Sequence, residues 1–300
     1  MRFPLVGERG AWRVTLGMGL LLWAAAVALF AATENVIVLP SVILLGSFLV
    51  PVVAVEWWWD RRTECALSVP FLARLFVVAG TAGLFAAAAL ETWLLPGRSI
   101  EALWVAVIEE SVKLALLLAA AALVPRLRPL DGLILGATVG FGFAAFESAG
   151  YALNAAIREG EFSFRALVEN ELLRAVEAPF LHGAWTGAVG GALALGAARD
   201  DGDDGPPRWR RAAPAVAATL ALVIVLHALW DASSAAALAL ATLLDGSAAQ
   251  AAALDGGVLP DPSDVSPWLY GSLQNAIQLT VALGGALLLR RRYRRASARR

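Results

Sequence analysis

His182 and His227 are the two histidines of this 300-residue chain, and Lys113 is its one lysine. All three lie inside long apolar stretches: PFLHGAWTGAVGGALALG, LALVIVLHALWDAS and IEESVKLALLLAAAAL. Glu109 and Glu110 share the lysine's stretch, and Glu147 lies in another, GFGFAAFESAGYAL. An ionisable group in hydrocarbon costs about 2.5 kcal/mol or more unless it is paired or solvated in a cavity. A chain that otherwise keeps its charges in loops, yet buries these, is read as carrying an intramembrane reactive site. Two chemistries suit the residue types. Two histidines and a glutamate can form a zinc set with an open water position, or a buried glutamate can deprotonate a water directly while a histidine donates to an oxyanion. No HExxH motif is present to choose between them.

Spacing within each stretch adds detail. On a helix Glu109 and Lys113 are i,i+4 and Glu110 and Lys113 are i,i+3, so one ammonium reaches either carboxylate. Adjacent carboxylates point about 100° apart on a helix, so Glu109 and Glu110 are expected to have different partners. His227 and Asp231 are i,i+4, which allows the aspartate to orient or charge the imidazole. Phe143, Glu147 and Tyr151 form a further ladder, with Asn154 one turn on. Glycines at 132, 136 and 140, and at 183, 187 and 191, make stripes of small residues that let helix backbones approach closely.

The elements that must position these groups are membrane helices. The chain is 59% hydrophobic with a mean hydropathy of +0.68. A run of about 20 apolar residues spans the bilayer core. Eight such runs are predicted, at 11–32, 35–56, 72–95, 102–124, 131–156, 177–198, 213–243 and 266–289. The fold class expected is all-α, a single polytopic membrane domain over 1–300, with a catalytic core at about 100–235 and a basic cytoplasmic tail at 290–300. The segment 157–176 reads as an outer loop, and 200–211 (DDGDDGPPRWRR) as a polar inner connector.

With a cytoplasmic N-terminus and alternating spans, inner segments hold nineteen arginines and outer segments four: Arg98, Arg158, Arg165 and Arg174. The positive-inside rule then places both termini in the cytoplasm. The tail RRRYRRASARR follows a span directly, which reads as an anchor at anionic lipid rather than a nucleic-acid site. Cys65 stands alone, which excludes an internal disulfide and a cysteine metal cluster. In this orientation Glu109, Glu110, Glu147, His182, His227 and Asp231, on four separate spans, fall within about 10 Å of one plane in the outer half of the bilayer.

EESVK at 109–113, LDGLILGATVGFGFAAFES at 130–148, HGAWTGAVGG at 182–191 and HALWDA at 227–232 resemble the four motifs of PrsW-type intramembrane proteases, relatives of the type II CAAX prenyl endopeptidases and bacteriocin-processing membrane proteases. The family commonly has Glu-Asn where this chain has Glu147-Ser148, and often Asn where it has Asp231. The resemblance implies an endopeptidase, often called a metalloprotease, with zinc or another divalent metal as the cofactor it would use. It implies a membrane-protein substrate, an anti-sigma factor among the candidates, cut near the extracytoplasmic face. On this reading Glu109 or Glu110 is general base or ligand and Glu147 a second carboxylate. His182 and His227 are ligands or oxyanion donors, Asp231 supports His227, and Lys113 holds one carboxylate ionised. Two rivals are a proton-coupled transporter, whose polar groups would be spread through the whole depth, and a non-catalytic scaffold for membrane helices.

Overall fold

The computed structural model describes residues 8–61, 67–96, 100–158, 161–197, 208–247, 250, 254 and 256–298. Cys65, Arg98 and most of the 200–211 connector lie outside the described residues. The chain runs α1 (Ala11–Thr33), α2 (Leu39–Asp60), α3 (Val69–Leu94), α4 (Glu101–Ala122), α5 (Pro129–Ala156), α6 (Phe164–Glu177), α7 (His182–Ala197), α8 (Arg208–Asp231), α9 (Ser233–Asp245) and α10 (Pro267–Ser297). A two-residue hairpin, Ile157–Arg158 against Glu161–Phe162, precedes α6. Serine caps start three of the helices: Ser68, Ser163 and Ser266 accept from the amides of Phe71, Ala166 and Leu269.

The helical fold class is as the sequence predicts, and the differences lie in the count. Among the described residues, six helices are long and apolar enough to cross a membrane by length and composition: α1, α2 with the 3-10 turn before it, α3, α5, Arg210–Asp231 of α8, and α10. α4 carries two glutamates and a lysine in its middle, and α7 has 16 residues, so neither qualifies on those grounds although both pack into the bundle. The expected span 213–243 is broken. α8 ends at Asp231 and α9 starts at Ser233, in the stretch Asp231-Ala232-Ser233-Ser234, whose Asp and Ser are residue types that favour helix ends over interiors. The expected outer loop 157–176 is in part a helix, α6, and the basic tail continues α10 to Ser297.

α5 is the hub, buried on all sides from Asp131 to Ala145. Its glycine stripe lies on the backbone of α7. A Cβ on Gly132, Gly136 or Gly140 would stand 2.5, 2.2 or 2.1 Å from the carbonyl oxygens of Gly190, Thr186 and His182. Three contacts one turn apart lock the two helices in register. The last of them fixes the backbone of His182 against α5. Around this pair Leu75, Ala79, Leu117, Leu135, Val139, Trp185, Val189 and Val223 join α3, α4, α5, α7 and α8 into one apolar core.

Candidate active site

Four helices present the site at one end of the bundle. Glu109 and Glu110 lie about two turns into α4, Glu147 about two and a half turns before the end of α5, His182 opens α7, and His227 and Asp231 close α8. Glu109, Glu110, His182, His227 and Lys113 are all buried, and Lys113 is fully enclosed. Asp231 is the most open of the acids in this cluster, with its side chain 30% exposed.

Lys113 is central. Its ammonium donates to Glu109 Oε2 at 3.0 Å and to Glu110 Oε1 at 2.8 Å, and lies 2.7 Å from His182 Nδ1 and 4.1 Å from the centre of the Phe143 ring. An ammonium has three protons and no acceptor. His182 Nδ1 must therefore accept, and the ring proton of a neutral His182 sits on Nε2. Nε2 in turn lies 3.1 Å from Glu147 Oε2, to which it donates.

His227 is wired the other way. Its Nδ1 lies 2.9 Å from Glu110 Oε1, an acceptor when ionised, so Nδ1 carries the proton and Nε2 keeps its lone pair. That lone pair lies among acidic oxygens: Asp231 Oδ2 at 3.4 Å and Glu109 Oε2 at 3.8 Å. The two imidazoles stand 5.0 Å apart at 75°, and Trp185 stacks 5.3 Å from His227. The structure thus brings together every candidate of the sequence reading: Glu109, Glu110, Glu147, His182, His227, Asp231 and Lys113. One expectation is corrected. Glu109 and Glu110 do not have separate partners but share Lys113, because the i,i+4 and i,i+3 side chains converge on one ammonium.

The sequence of this chain matches the profile described as PrsW family intramembrane metalloprotease over residues 65–254, more than half its length. The chain belongs to that family. No curated protein and no solved structure matches it. Membership makes this PrsW-family chain a multi-pass membrane protein and an intramembrane protease, and it implies a metal.

The donor set can be tested for that metal. Glu109, Glu110, His182 and His227 each offer a ligand atom within 4.8 Å of the others, which is compatible with an ion. Lys113 divides the set, however. It already holds Glu109 Oε2, Glu110 Oε1 and His182 Nδ1, and Glu147 holds the other nitrogen of His182. His227 Nε2, Glu109 and Asp231 are the donors that face one another on the open side. Charge agrees with a divalent ion there. If ionised, the four carboxylates Glu109, Glu110, Glu147 and Asp231 face two cations in direct contact, Lys113 and Arg174, leaving two negative charges in a poorly solvated site.

Arg174 is the residue that sequence reasoning missed. It comes from α6, inside what reads as an outer loop, and places Nη2 2.5 Å from Glu147 Oε2 and Nε 3.0 Å from Ser148 Oγ. Its guanidinium also lies 4.8 Å from the centre of the Tyr151 ring. A faint signal existed: Leu167, Glu171 and Arg174 fall on one helical face at 4,3 spacing, and Leu167 and Glu171 are buried. Asn154, at the end of the α5 ladder, is exposed in a surface cleft with Asn170.

Proposed function

We propose that this chain hydrolyses a peptide bond of a single-span membrane protein near the extracytoplasmic face, with Glu109, His227 and Asp231 as the reacting set. The observation that carries the reading is the bare Nε2 of His227, turned toward two carboxylates at the open side of a cluster that is otherwise closed. If a metal is bound, His227 Nε2 and Asp231 would hold it beside Glu109, and it would supply a Lewis acid and lower the pKa of its water to about 7. Zinc fits oxygen and imidazole donors of this kind.

The remaining steps belong to side chains. Hydrolysis needs a base for the attacking water, donors for the tetrahedral oxyanion and a proton for the leaving amine. Glu109 suits the base better than Glu110. Glu110 Oε1 is committed to both Lys113 and His227, and Glu110 is 1% exposed. Glu110 instead orients His227, and Lys113 keeps the glutamates charged. Glu147 fixes the ring of His182, whose Nε2 proton faces the same cluster. Asp231 borders the mouth, and the proton that Glu109 takes from the water is the one returned to the departing amine. An anti-sigma factor is the substrate class that the family resemblance favours.

The test is cleavage of a candidate single-span substrate by the protein reconstituted in liposomes. Wild type is compared with Glu109→Gln, Glu110→Gln and His227→Ala, with and without a chelator. Glu109→Gln and His227→Ala are expected to lose about 100-fold or more in rate. Chelation is expected to abolish cleavage and zinc to restore it. Undiminished cleavage in all three variants would overturn the assignment, and indifference to the chelator would favour catalysis by glutamate alone.

A further inference from the structure

We infer that Arg174 is a positioning residue of this site, contributed by α6, which acts through Glu147 to set the ring of His182. The inference rests on the protease reading for its kinetic consequence but not for its geometry. Glu147 Oε2 is a shared acceptor: Arg174 Nη2 reaches it from one side and His182 Nε2 from the other. A carboxylate buried beside an imidazole and the Phe143 ring needs a counter-charge to stay ionised, and Arg174 is the cation in direct contact with it. The guanidinium fork is used for orientation through two of its nitrogens. One nitrogen takes Glu147, another takes Ser148, and the plane lies over Tyr151, one turn further along α5. Three successive features of α5 therefore grip one side chain of α6, which a lysine, a point charge without a fork, cannot reproduce.

α6 is itself held so that Arg174 arrives there. Three residues earlier, Glu171 takes a hydrogen bond from Ser47 Oγ at 2.8 Å and packs on Gly46 of α2, where any Cβ would collide with its carboxyl group. The relay runs from α6 through Glu147 and His182 Nε2 to Nδ1 and Lys113, and so to both catalytic-motif glutamates. Arg174 itself bonds to Glu147 and Ser148 rather than to His227, Glu109 or Asp231, so it tunes the cluster rather than meeting substrate.

The experiment combines kinetics with a probe that needs no turnover. Arg174→Ala is expected to lower kcat by about 10–100-fold with KM nearly unchanged, and Arg174→Lys to recover part of the loss. In a Glu147→Gln background the same substitution should add nothing, because both act on one link. Histidine labelled with nitrogen-15 gives signals from two residues, separable by His227→Gln. In wild type His182 should show a protonated Nε2 and a bare, hydrogen-bonded Nδ1, and Arg174→Ala should shift His182 while leaving His227 nearly in place. A rise in KM alone, additive losses with Glu147→Gln, or unmoved His182 signals in a folded Arg174→Ala protein would each overturn the proposal. Should the wild type cleave nothing while His182 still responds to Arg174→Ala, the protease reading fails and the positioning role stands.

Discussion

At the scale of single residues, the site is organised by one cation in a cage of acceptors. Lys113 satisfies all three of its protons on Glu109, Glu110 and His182, and this fixes the tautomer of His182 and removes its Nδ1 from any ligand set. Lys113→Met keeps the stem's volume but strands two buried carboxylates. Removing one partner of a buried ion pair costs about 3–5 kcal/mol, so the variant should melt well below wild type in detergent, with cleavage lost even in the folded fraction. Asp231 and His182 should separate by a different measurement, the binding of cobalt(II) followed by its visible spectrum. Asp231→Ala should weaken binding strongly and alter the spectrum. His182→Gln should leave binding near the wild-type value, because its nitrogens are held by Lys113 and Glu147. Equal loss in both would return His182 to the ligand set.

At the scale of elements, glycine decides where His182 stands. A methyl on Gly140 would sit 2.1 Å from the carbonyl oxygen of His182, whereas one on Gly150 of the same helix meets nothing within 4 Å. Gly140→Ala is therefore expected to push the first turn of α7 outward, lowering the melting temperature and cutting cleavage more than stability. Gly150→Ala should be neutral or slightly stabilising, since alanine is the better helix former. Thermal melts and cleavage rates of the pair check this. α6 adds a pH signature. Burial of Glu171 raises its carboxyl pKa to about 8 from an ordinary 4.5, against the lowering by Ser47. A carboxyl raised in the folded state costs nothing below its unfolded value and destabilises progressively as pH rises from about 4.5 to about 8. The docking of α6 should loosen across that window, and Glu171→Gln should flatten the dependence, as read by hydrogen exchange of residues 164–177. Much of this architecture was legible in the sequence. Apolar runs marked every helix of the core, and the shared depth of Glu109, Glu147, His182 and His227 followed from counting along them. The break after Asp231 was not legible, because Asp231, Ser233 and Ser234 are too few polar residues to divide the apolar run 213–243. Nor was α6, whose 14 residues mix polar and apolar types and read as a loop. Arg174 was lost with it, since a contact to Glu147 across 27 positions leaves no local pattern.

At the scale of the whole molecule, the question is which side of the membrane the open end of the site faces. Every site residue lies toward the end of the bundle where α5 finishes and α7 begins, the end that also carries the strand pair Ile157–Arg158 and Glu161–Phe162 and α6. We propose from the arginine asymmetry that this end is extracytoplasmic, with Arg158, Arg165 and Arg174 there and the helical extension of α10 from Arg290 to Arg295 at cytoplasmic anionic lipid. Two further features agree. Trp57, Trp58 and Trp59 cluster at the far end of α2, with Arg61 over the Trp57 ring and Tyr293 of α10 beside Trp58, as expected of an aromatic belt at one interface. Arg292 also reaches Thr219, tying the basic end of α10 to the middle of the helix that carries His227. The orientation is tested by placing one cysteine in a Cys65→Ser background. Arg165 suits this, since its side chain is 87% exposed and pairs with Glu169 on the surface of α6. In right-side-out vesicles a membrane-impermeant maleimide should label Arg165→Cys without permeabilisation, and a cysteine at Ser297 only after it. The reverse pattern would turn the site toward the cytoplasm. The substrate would then have to present its cleavage site from that side, and an extracytoplasmic cut would no longer follow from the geometry.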